Sequence, residues 1–549
     1  MREQLPLDTA SLHLAELWET LALRCPGQLA LAHGTREYSF AAYEERAARL
    51  ATALARAGLG PGSKVAILSH NCPEYLEAQF AAFKIGAVPI NVNYQYLEEE
   101  LAALFTDADA QAVFFESACA ARLGAIRARL PPLRLCVQLG GAAAPCADAR
   151  HEDLIAACPP RARAPHSPEE IYMLYTGGTT GRPKGVMYRH GDFVHGLMAE
   201  YENRGLARPT TLAEWQAALA VIAARGEQPV MVVACPLMHA TGMWIGVMVV
   251  HALGGAVVTL PGTSFDAQAV WRAVQERRAT HLTIVGDSFA KPLLAALDGA
   301  AAAGRPYDLA SLKFIVSSGA MWSAETKQAL LDRLDITLVD VIGSSEGSLG
   351  RSLTARGQPS LTGHFLPRAT TRVFTDDDTP VQPGSGVVGR LAASLVVPLG
   401  YYKDAHKSAR TFRTIGGVRY AFTGDHATVE ADGSIRFVGR GNQCINSAGE
   451  KVYPEEVEEA IKRHPSVEDC LVVGVPHPRY GECVAALIAP VPARQVDPLE
   501  IEALVRRTLA PYKTPRLIVP VAAIQRLPNG KADYPWARRV AGAEGAFTP

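Results

Sequence analysis

A loop rich in glycine and threonine, followed by a lysine, is the segment of this sequence best suited to chemistry. An apolar run at 171–175 leads into the loop 176–181, and Lys184 follows. Glycines let backbone N–H groups converge on an anion, and threonine hydroxyls add further donors. Lys184 adds a positive point charge. We therefore expect a phosphate-binding loop between a strand and a helical segment that begins after the lysine.

Two other kinds of phosphate-binding loop do not fit the spacing. In a Walker A loop the lysine follows a glycine and precedes Ser or Thr, whereas Lys184 follows Pro183 and precedes Gly185. A dinucleotide-binding loop needs the spacing GxGxxG, which Gly177 and Gly178 do not provide. Both classes are therefore excluded for this segment.

The string YTGGTTGRPKG at 175–185 closely resembles the phosphate-binding signature of the adenylate-forming superfamily. That superfamily contains acyl-CoA synthetases, peptide-synthetase adenylation domains and firefly-type luciferases. Its other motifs follow here in the expected order, so the resemblance covers nearly the whole chain. It implies an α/β fold with a large N-terminal domain of stacked sheets and helices at 1–438. A small, mobile α+β C-terminal domain at 439–549 is expected to follow.

The resemblance implies that ATP is bound by the signature loop, an adenine-side loop, a segment ending in Glu346, a Gly-Asp turn and a C-terminal lysine. Ile342 departs from the family, which usually has an aromatic residue there against adenine. The expected nucleotide-binding residues are Thr176, Gly177, Gly178, Thr179, Thr180, Gly181, Lys184, Gly319, Ala320, Ile342, Gly343, Ser344, Ser345, Asp425, Arg440 and Lys531.

Four of the residues matched to family motifs are expected to be catalytic: Thr180, His239, Glu346 and Lys531. Glu346 would hold Mg²⁺ against the ATP phosphates, a hard cation on a hard oxygen ligand. Lys531, in Pro-Asn-Gly-Lys, would offset the charge that develops on phosphorus during adenylation. In the same register, a carboxylate at Asp425 can accept hydrogen bonds from both ribose hydroxyls, assisted by Arg440.

The segment 236–242 resembles the family segment that borders the acid pocket, which would place His239 beside the carboxylate to be activated. Amino-acid-activating relatives carry an aspartate near here for the substrate ammonium, but residues 231–263 contain no acidic residue. A plain carboxylic acid is therefore favoured, with an apolar group that is fatty, aryl or derived from a steroid. The expected pocket residues are His239, Met243, Trp244, Gly286, Asp287 and Gly319.

The segment 447–457 resembles the family loop that lines the pantetheine tunnel. On that resemblance Ser447, Ala448 and Gly449 would contact coenzyme A, and Gly449 has no Cβ to obstruct the thiol arm. Asn442 aligns with the family hinge, which is usually Asp or Lys. Asn tolerates unusual backbone angles, so a hinge is physically reasonable there.

Short apolar runs alternate with amphipathic helical patterns over the first 400 residues. Because strands between helices are continuously apolar, we expect largely parallel sheets covered on both faces. The stretch 141–168, rich in Ala, Arg and Pro, is expected to be a surface connection, and short alternating β segments begin near residue 385. The apolar runs lie at 64–70, 87–93, 112–117, 135–140 and 281–286.

The composition excludes several classes of protein. The 54 Lys and Arg balance 55 Asp and Glu, so no overall charge attracts nucleic acid. No window reaches the length of apolar sequence that a membrane span needs. The N-terminus lacks a signal-peptide pattern, and the ten cysteines lack metal-ligand spacing. A cytoplasmic enzyme is expected, with a homodimer left open.

These observations predict an ATP-dependent acid–thiol ligase that uses ATP, Mg²⁺ and coenzyme A. It would convert the acid to an acyl-adenylate and then transfer the acyl group to coenzyme A. The run from 317 to 538 is similar to the bacterial fatty-acyl or steroid-acid branch of acyl-CoA synthetases. Three alternatives stay open: a ligase that loads a carrier protein, a luciferase-like oxygenase and a non-catalytic binding homologue.

Overall fold

The computed structural model describes residues 12–130, 133–176, 183–447, 450–477, 481–527 and 530–544. The fold is mixed α/β, with a large N-terminal domain and a small C-terminal domain, as the sequence predicts. Within these ranges, no helix is both long enough and apolar enough to cross a membrane.

Helices cover the sheets of the large domain, and amphipathic patterns within the first 400 residues form helices such as Phe40–Arg56 and Pro73–Phe83. Ser39 caps the first of these, because its hydroxyl accepts a hydrogen bond from the Ala42 amide at 3.2 Å. Gly58 follows its end at φ +77°, a conformation that glycine adopts without strain. The remaining helices are Leu14–Arg24, Glu98–Asp107, Ala120–Ile126, His151–Ala157, His190–Glu202, Leu212–Ala224, Thr241–Met248 (a π-helix), Val249–Ala252, Ala267–Glu276, Asp287–Ala302, Ala324–Arg333 and Ala405–Thr411, with short 3₁₀ turns at Ser117–Cys119 and Arg127–Arg129.

The first sheet contains five strands within the described residues, and all of them are parallel. Across the sheet they are Val88–Asn91, Lys64–Leu68, Ala110–Glu116, Leu135–Leu139 and Ala149–Arg150. The four runs predicted as strands here are confirmed. Within the stretch 141–168, predicted to be a surface connection, Ala149 pairs with Val137 at the sheet edge and a helix follows.

The second sheet is large and joins a parallel half to an antiparallel half. The parallel half supplies the strand ends that border the site, and the antiparallel half contains the β segments expected after residue 385. The parallel strands are Leu29–His33, Ala256–Thr259, Val230–Val233, His281–Ile284, Phe314–Ser318 and Thr337–Ser344, with Arg36–Ser39 antiparallel at the edge. The antiparallel strands are Gly347–Ala355, His364–Pro367, Ile435–Arg440, Val418–Val429, Gly389–Ala393, Thr371–Phe374 and Phe412–Ile415.

A third sheet contains the strands that flank the signature loop. Strand Ile171–Thr176 pairs antiparallel with Lys184–Arg189, which in turn pairs with Gly400–Tyr401. The expectation that a helix follows Lys184 was therefore wrong, since the lysine begins a strand and helix His190–Glu202 starts only afterwards. The pairing Thr176↔Lys184 holds the two ends of the loop side by side.

The small domain is an α+β unit built on one mostly antiparallel sheet. The last strand of the large sheet ends at Arg440, a 3₁₀ turn Gly441–Gln443 follows, and the small sheet begins at Ile445. The domain boundary at residue 439 stays a prediction. The strands are Glu450–Val452, Ile445–Ser447, Gly481–Pro490, Val467–His477 and Leu517–Pro520, and the helices are Pro454–Lys462, Pro498–Thr508 and Tyr534–Glu544, with a 3₁₀ turn at Pro511–Lys513.

Candidate active site

A cavity of about 2150 Å³ lies beyond the carboxyl ends of the parallel strands of the large sheet, where the small domain covers it. In open α/β sheets, ligands bind in this position because the strand ends and the following loops form a crevice there. Gly319 and Glu346 line the cavity from the large domain, and Glu455 and Lys531 line it from the small domain. The site is therefore assembled from both domains.

The loop expected to hold phosphate begins and ends at this cavity. Thr176 and Lys184 are paired and both line it. The loop residues between them lie outside the described residues, so their predicted role stays a prediction. These residues are Gly177, Gly178, Thr179, Thr180 and Gly181.

Two lysines converge beside the ring of Tyr401. The Nζ atoms of Lys184 and Lys407 lie 5.7 and 5.1 Å from the ring centre. Burial, followed by the neighbouring Lys407 ammonium, lowers the pKa of Lys184 to about 8. Because like charges at close range repel, the pair is suited to an anion that both can contact.

Glu346 is held in place by hydroxyl groups. It lies in the turn after strand Thr337–Ser344, and its Oε1 accepts a hydrogen bond from the Tyr401 hydroxyl at 2.7 Å. Its Oε2 accepts one from the Ser345 hydroxyl at 3.0 Å. The carboxylate is thereby oriented beside the two lysines, and its oxygens are suitable ligands for a hard cation.

Asp425 and Arg440 form a pair on adjacent strands. They are direct register partners, and Arg440 Nε donates to Asp425 Oδ1 at 3.0 Å. Asp425 is only 2% exposed, and its Oδ2 has no hydrogen-bond partner among the described residues. A buried carboxylate oxygen without a partner is costly, so this atom is well suited to a hydroxyl donor of a ligand.

Lys531 extends from the small domain into the large one. Its Cε lies 3.7 Å from the position that a Cβ on Gly319 would occupy. The preceding residue is docked too, because the Ser288 hydroxyl donates to the Gly530 carbonyl at 2.9 Å. Burial, followed by the positive charge of Arg440, lowers the pKa of Lys531 to about 8, against the opposing effect of Asp425. Burial and the nearby positive charge therefore make the charged form of Lys531 less stable here than in water.

The expected adenine-side residues meet where two parallel strands end. Gly319 and Ala320 follow strand Phe314–Ser318, and Gly343 and Ser344 end the neighbouring strand. All of these residues line the cavity. Ile342 is 8% exposed and packs in the hydrophobic cluster of the antiparallel half, so its side chain is largely occupied by protein contacts.

The expected acid-pocket residues divide between the cavity and the core. His239, Trp244 and Asp287 line the cavity, together with Gly319. Burial, and then the charge of Lys531, lowers the pKa of His239 to about 3, so this imidazole is neutral at neutral pH. Met243 is 1% exposed and packs in the main hydrophobic core, which is a structural position.

Gly286 determines the backbone conformation of a loop beside the pocket. It adopts φ +55°, and a Cβ there would lie 2.3 Å from the Met321 carbonyl oxygen. Its amide donates to the Ser317 hydroxyl at 2.9 Å, which joins two strand ends. Only glycine fits this conformation and contact, so the residue shapes the loop instead of lining the cavity.

The cavity extends away from Lys531 between one sheet face and two helices. Ser318, Val316 and Phe314 alternate along one strand and all line it, so it follows that face of the sheet. Helix His190–Glu202 contributes residues to the cavity wall at helical spacing, beginning with Phe193. The π-helix contributes residues in the same way, beginning with Thr241. Four strand steps from Ser318 to Phe314 span about 13 Å. The extension is long and its lining is apolar along most of its length, with polar groups added by Glu200, Arg204 and Gln228.

One of the three expected coenzyme A residues, Ser447, lies within the described residues. Ser447 is 7% exposed, pairs with Gly481 in the small sheet and is not among the described residues that line the cavity. Ala448 and Gly449 lie outside the described residues. The expected hinge residue Asn442 is in the 3₁₀ turn that joins the domains. The structure therefore brings Lys531 to the site while Ser447 stays apart from it.

Three site residues are absent from the sequence expectations: Tyr401, Lys407 and Glu455. Tyr401 and Lys407 belong to a separate segment at 400–411, whose place beside Lys184 depends on the pairing of Gly400 with Met187. Glu455 is within hydrogen-bond reach of the Arg440 amide, at 3.4 Å, and burial raises the pKa of Glu455 to about 8. Only the tertiary contacts reveal these roles, because Lys407 and Glu455 look like ordinary charged surface in the sequence and Tyr401 belongs to none of the family motifs.

Comparison with known protein families gives two matches in chain order. Residues 18–400 match the family described as AMP-binding enzyme, and residues 456–531 match the AMP-binding enzyme C-terminal domain. Together these matches extend over both domains, in the order that the sequence motifs predict.

Curated relatives match over almost their whole length. A 3-oxocholest-4-en-26-oate–CoA ligase of Rhodococcus rhodochrous is 39% identical, covering 97% of this chain and 96% of that protein. A medium/long-chain-fatty-acid–CoA/3-oxocholest-4-en-26-oate–CoA ligase of Mycolicibacterium smegmatis is also 39% identical, with 96% of each chain covered. The medium-chain acyl-CoA ligase Mig of Mycobacterium avium is 36% identical, covering 95% of this chain and 97% of that protein.

Solved structures share the fold at lower identity. An anthranilate CoA ligase, AuaEII, in complex with anthranoyl-AMP has a TM-score of 0.84 at 24% identity, with 99% of each chain covered. ATP-bound MatB from Rhodopseudomonas palustris has a TM-score of 0.78 at 23% identity, covering 96% of this chain and 99% of that one. From the family matches and the close relatives, the chain belongs to the AMP-binding enzyme family and is an AMP-forming acyl-CoA ligase.

Proposed function

We propose that this ligase activates medium- or long-chain fatty acids and sterol side-chain acids, and transfers them to coenzyme A. The observation that carries the proposal is a long apolar cavity that ends at Lys531 and Gly319. An apolar acid would place its chain along the sheet face and its carboxylate at the lysine. The acids named for the relatives at 38–39% identity belong to the same classes.

In the first half-reaction, a carboxylate oxygen of the acid attacks the α-phosphorus of ATP. A new O–P bond forms, the bond to the β-phosphate oxygen breaks, and pyrophosphate leaves with its electron pair. We propose that Lys531 offsets the charge that develops on the α-phosphate, while Lys184 and Lys407 hold the departing phosphates. The predicted donors of the signature loop, Thr180 among them, would act on the same phosphates.

The residues at Glu346 fit a magnesium ion. The carboxylate is a hard oxygen donor, and the hydroxyls of Tyr401 and Ser345 orient it toward the cavity. When bound, Mg²⁺ would neutralise phosphate charge and thereby favour departure of pyrophosphate.

We propose that the ribose of ATP is held by Asp425 and Arg440. The unpartnered Oδ2 of Asp425 would accept hydrogen bonds from the ribose hydroxyls. His239, which is neutral, would border the acid without adding a charge that competes with Lys531. Lys531 is then the charged group that orients the acid carboxylate.

In the second half-reaction, the thiol of coenzyme A attacks the acyl carbon and AMP leaves. Lys531 and the predicted coenzyme A loop at 447–449 belong to one small domain, yet they serve successive steps. We propose that the domain beyond residue 438 turns about Asn442, so that each reaches the site in its turn. Lys531→Ala tests this division and is developed in the Discussion.

A pyrophosphate-release screen tests the substrate proposal. The acids are octanoate, palmitate, benzoate and a sterol side-chain acid, each with and without coenzyme A. We expect release with the aliphatic and sterol acids, accompanied by acyl-CoA and AMP when coenzyme A is present. Acyl-AMP that reacts only with a carrier protein, or oxygen consumption from the adenylate, would instead identify the alternative acceptors. Preference for benzoate over every aliphatic and sterol acid would contradict the proposal.

We also propose a cytoplasmic location, because no cysteine among the described residues forms a disulfide and reduced thiols persist in reducing compartments. Cell fractionation tests this proposal, and recovery with secreted proteins would contradict it. A homodimer is a separate question that light scattering of the purified enzyme answers.

A further inference from the structure

Two side chains on one helix of the large domain donate hydrogen bonds to the small domain. Ser288 and Lys291 are three positions apart on helix Asp287–Ala302, so they lie on the same face of it. The Ser288 hydroxyl donates to the Gly530 carbonyl at 2.9 Å, and Lys291 Nζ donates to the Glu468 carbonyl at 2.6 Å. Both acceptors are backbone groups, so these contacts fix the position of the small-domain backbone.

The Gly530 carbonyl belongs to the turn that presents Lys531. Within that turn the Gly530 amide donates to the Leu527 carbonyl, and the Leu527 amide donates to the Lys531 carbonyl, each at 2.8 Å. Gly530 has φ +75°, and a Cβ there would lie 3.2 Å from the Phe289 ring and 3.3 Å from Ser288. The backbone just before the lysine therefore packs directly on the first turn of the helix.

An ion pair joins the two small-domain segments that the helix contacts. Arg526 donates from Nε and from Nη2 to Asp469 Oδ2, at 3.1 and 2.6 Å. Asp469 directly follows Glu468, and Arg526 begins the turn that leads to Lys531. Because the ion pair ties the two segments together, both contacts with the helix act on the part of the small domain that carries the lysine.

We infer that Ser288 and Lys291 are positioning residues for acyl-AMP formation, because they hold the small domain where Lys531 reaches the site. The inference rests on the proposed roles of Lys531 and of the domain rotation. Under that rotation both carbonyl groups leave the helix. The two contacts therefore stabilise the arrangement for adenylation alone, and their loss shifts the small domain toward the arrangement for thioester formation.

The first experiment measures both half-reactions of Ser288→Ala with palmitate as the acid. Pyrophosphate release without coenzyme A should fall by about 5-fold, the worth of one neutral hydrogen bond. Thioester formation from supplied palmitoyl-AMP should keep its rate or rise, because the competing arrangement is weakened. Lys291→Ala should act in the same direction by about 2-fold, since a charged contact exposed to water contributes little.

Two control variants accompany this measurement. Ser288→Thr keeps the hydroxyl and should recover most of the adenylation rate. Ser311→Ala removes a hydroxyl that donates to the Ala279 carbonyl at 3.0 Å inside the large domain, and neither of these two residues lines the cavity. It is matched to Ser288→Ala in the bond that is lost, and it should keep the rates of both half-reactions.

A double variant separates positioning from direct contact with the substrate. Ser288 itself lines the cavity, so contact with the acid is the alternative explanation for a loss of adenylation. A residue that acts only through Lys531 has no further effect once the lysine is absent. Ser288→Ala should therefore not slow the residual adenylation of Lys531→Ala. Direct contact would instead raise KM for the acid equally in both backgrounds.

The outcomes separate this inference from the proposed function. An active wild type with equal losses in both half-reactions of Ser288→Ala overturns the inference and leaves the proposed function intact. Unchanged adenylation in Ser288→Ala, or the same loss in the Lys531→Ala background, has the same consequence. A wild type that releases no pyrophosphate with aliphatic or sterol acids overturns both.

Discussion

Removal of Lys531 should separate the two half-reactions of the enzyme. The ammonium reaches from the small domain to Gly319, at the end of the acyl cavity and near the ribose pair Asp425–Arg440. The coenzyme A residue Ser447 is apart from the cavity in the same arrangement. We therefore expect Lys531→Ala to disable acyl-AMP formation while it spares transfer from supplied acyl-AMP to coenzyme A.

The magnitude follows from the position of the charge. Two unit charges about 4 Å apart interact by about 4 kcal/mol at an effective dielectric constant of about 20, which suits a partly buried site. With a factor of ten for every 1.4 kcal/mol, this amounts to about 10³ in rate. Water that enters the space in the alanine variant recovers part of the loss. We expect acyl-AMP formation to fall by about 10²- to 10³-fold.

The assay measures each half-reaction by itself, with Lys531→Arg as the control that keeps the charge. Adenylation is followed by pyrophosphate release without coenzyme A, and thioester formation by acyl-CoA production from synthetic acyl-AMP. In the wild type, kcat/KM for ATP should fall as the pH rises through about 8, because the ammonium that contacts phosphate is then lost. Lys531→Arg should show a shallower fall, since residue 531 no longer titrates in that range while Lys184 still does.

An equal loss in both half-reactions would refute the division of labour within the small domain. Such a result would mean that Lys531 supports the fold or serves both steps. A loss of less than tenfold in adenylation would show instead that the charge is well hydrated in the complex, and that the low pKa of the free enzyme does not report a desolvated contact.

Three further predictions concern residues around the nucleotide. Lys407→Ala should raise KM for ATP by about 10-fold, the worth of one charged hydrogen bond. It should also move the alkaline limb of the pH–rate profile, which Lys184 sets, to higher pH. The control Lys403→Ala, on the exposed side of the same segment, should have neither effect. Asp425→Asn should raise KM for ATP by about 10- to 100-fold with little change in KM for the acid, because the ribose loses a charged acceptor and Arg440 its partner. The burial-raised pKa of Glu455 means that the folded state holds its proton between pH 4.5 and about 8, where the unfolded chain releases it, so stability falls as pH rises through that window. In melting experiments the gain in Tm from Glu455→Gln should therefore grow from pH 5 to pH 8, and a gain that does not depend on pH would contradict the assignment.

The sequence was most informative where local pattern decides structure. Continuous apolar runs predicted five parallel strands because such strands are buried on both faces, and all five are present. The family motifs predicted the fold and the ligase class, and the relatives confirm both. The register pairs Thr176↔Lys184 and Asp425↔Arg440 then show how the two members of each pair lie side by side at the site.

The sequence was least informative where tertiary pairing decides the outcome. Lys184 begins a strand because strand Ile171–Thr176 supplies its backbone partners, although the pattern after the lysine was interpreted as helical. Met243 was predicted to be a pocket residue, but its position on the π-helix directs its side chain into the hydrophobic core. Lys407 and Glu455 could not be predicted, because their neighbours come from other strands or from the other domain.

The charges of the site give a physical reason for the proposed rotation of the small domain to follow the departure of pyrophosphate. Lys184, Lys407, Arg440 and Lys531 converge where Glu346 and Asp425 are the opposing groups, and the lowered pKa values of Lys184 and Lys531 show that this arrangement is costly without an anion. ATP offsets that cost, so its binding must favour the arrangement with Lys531 in the site by the same free energy. Pyrophosphate then carries away most of the negative charge, and the acyl-adenylate that remains holds Lys531 less strongly. Under the proposed rotation about Asn442, departure of the first product would therefore release the domain for the step that needs coenzyme A.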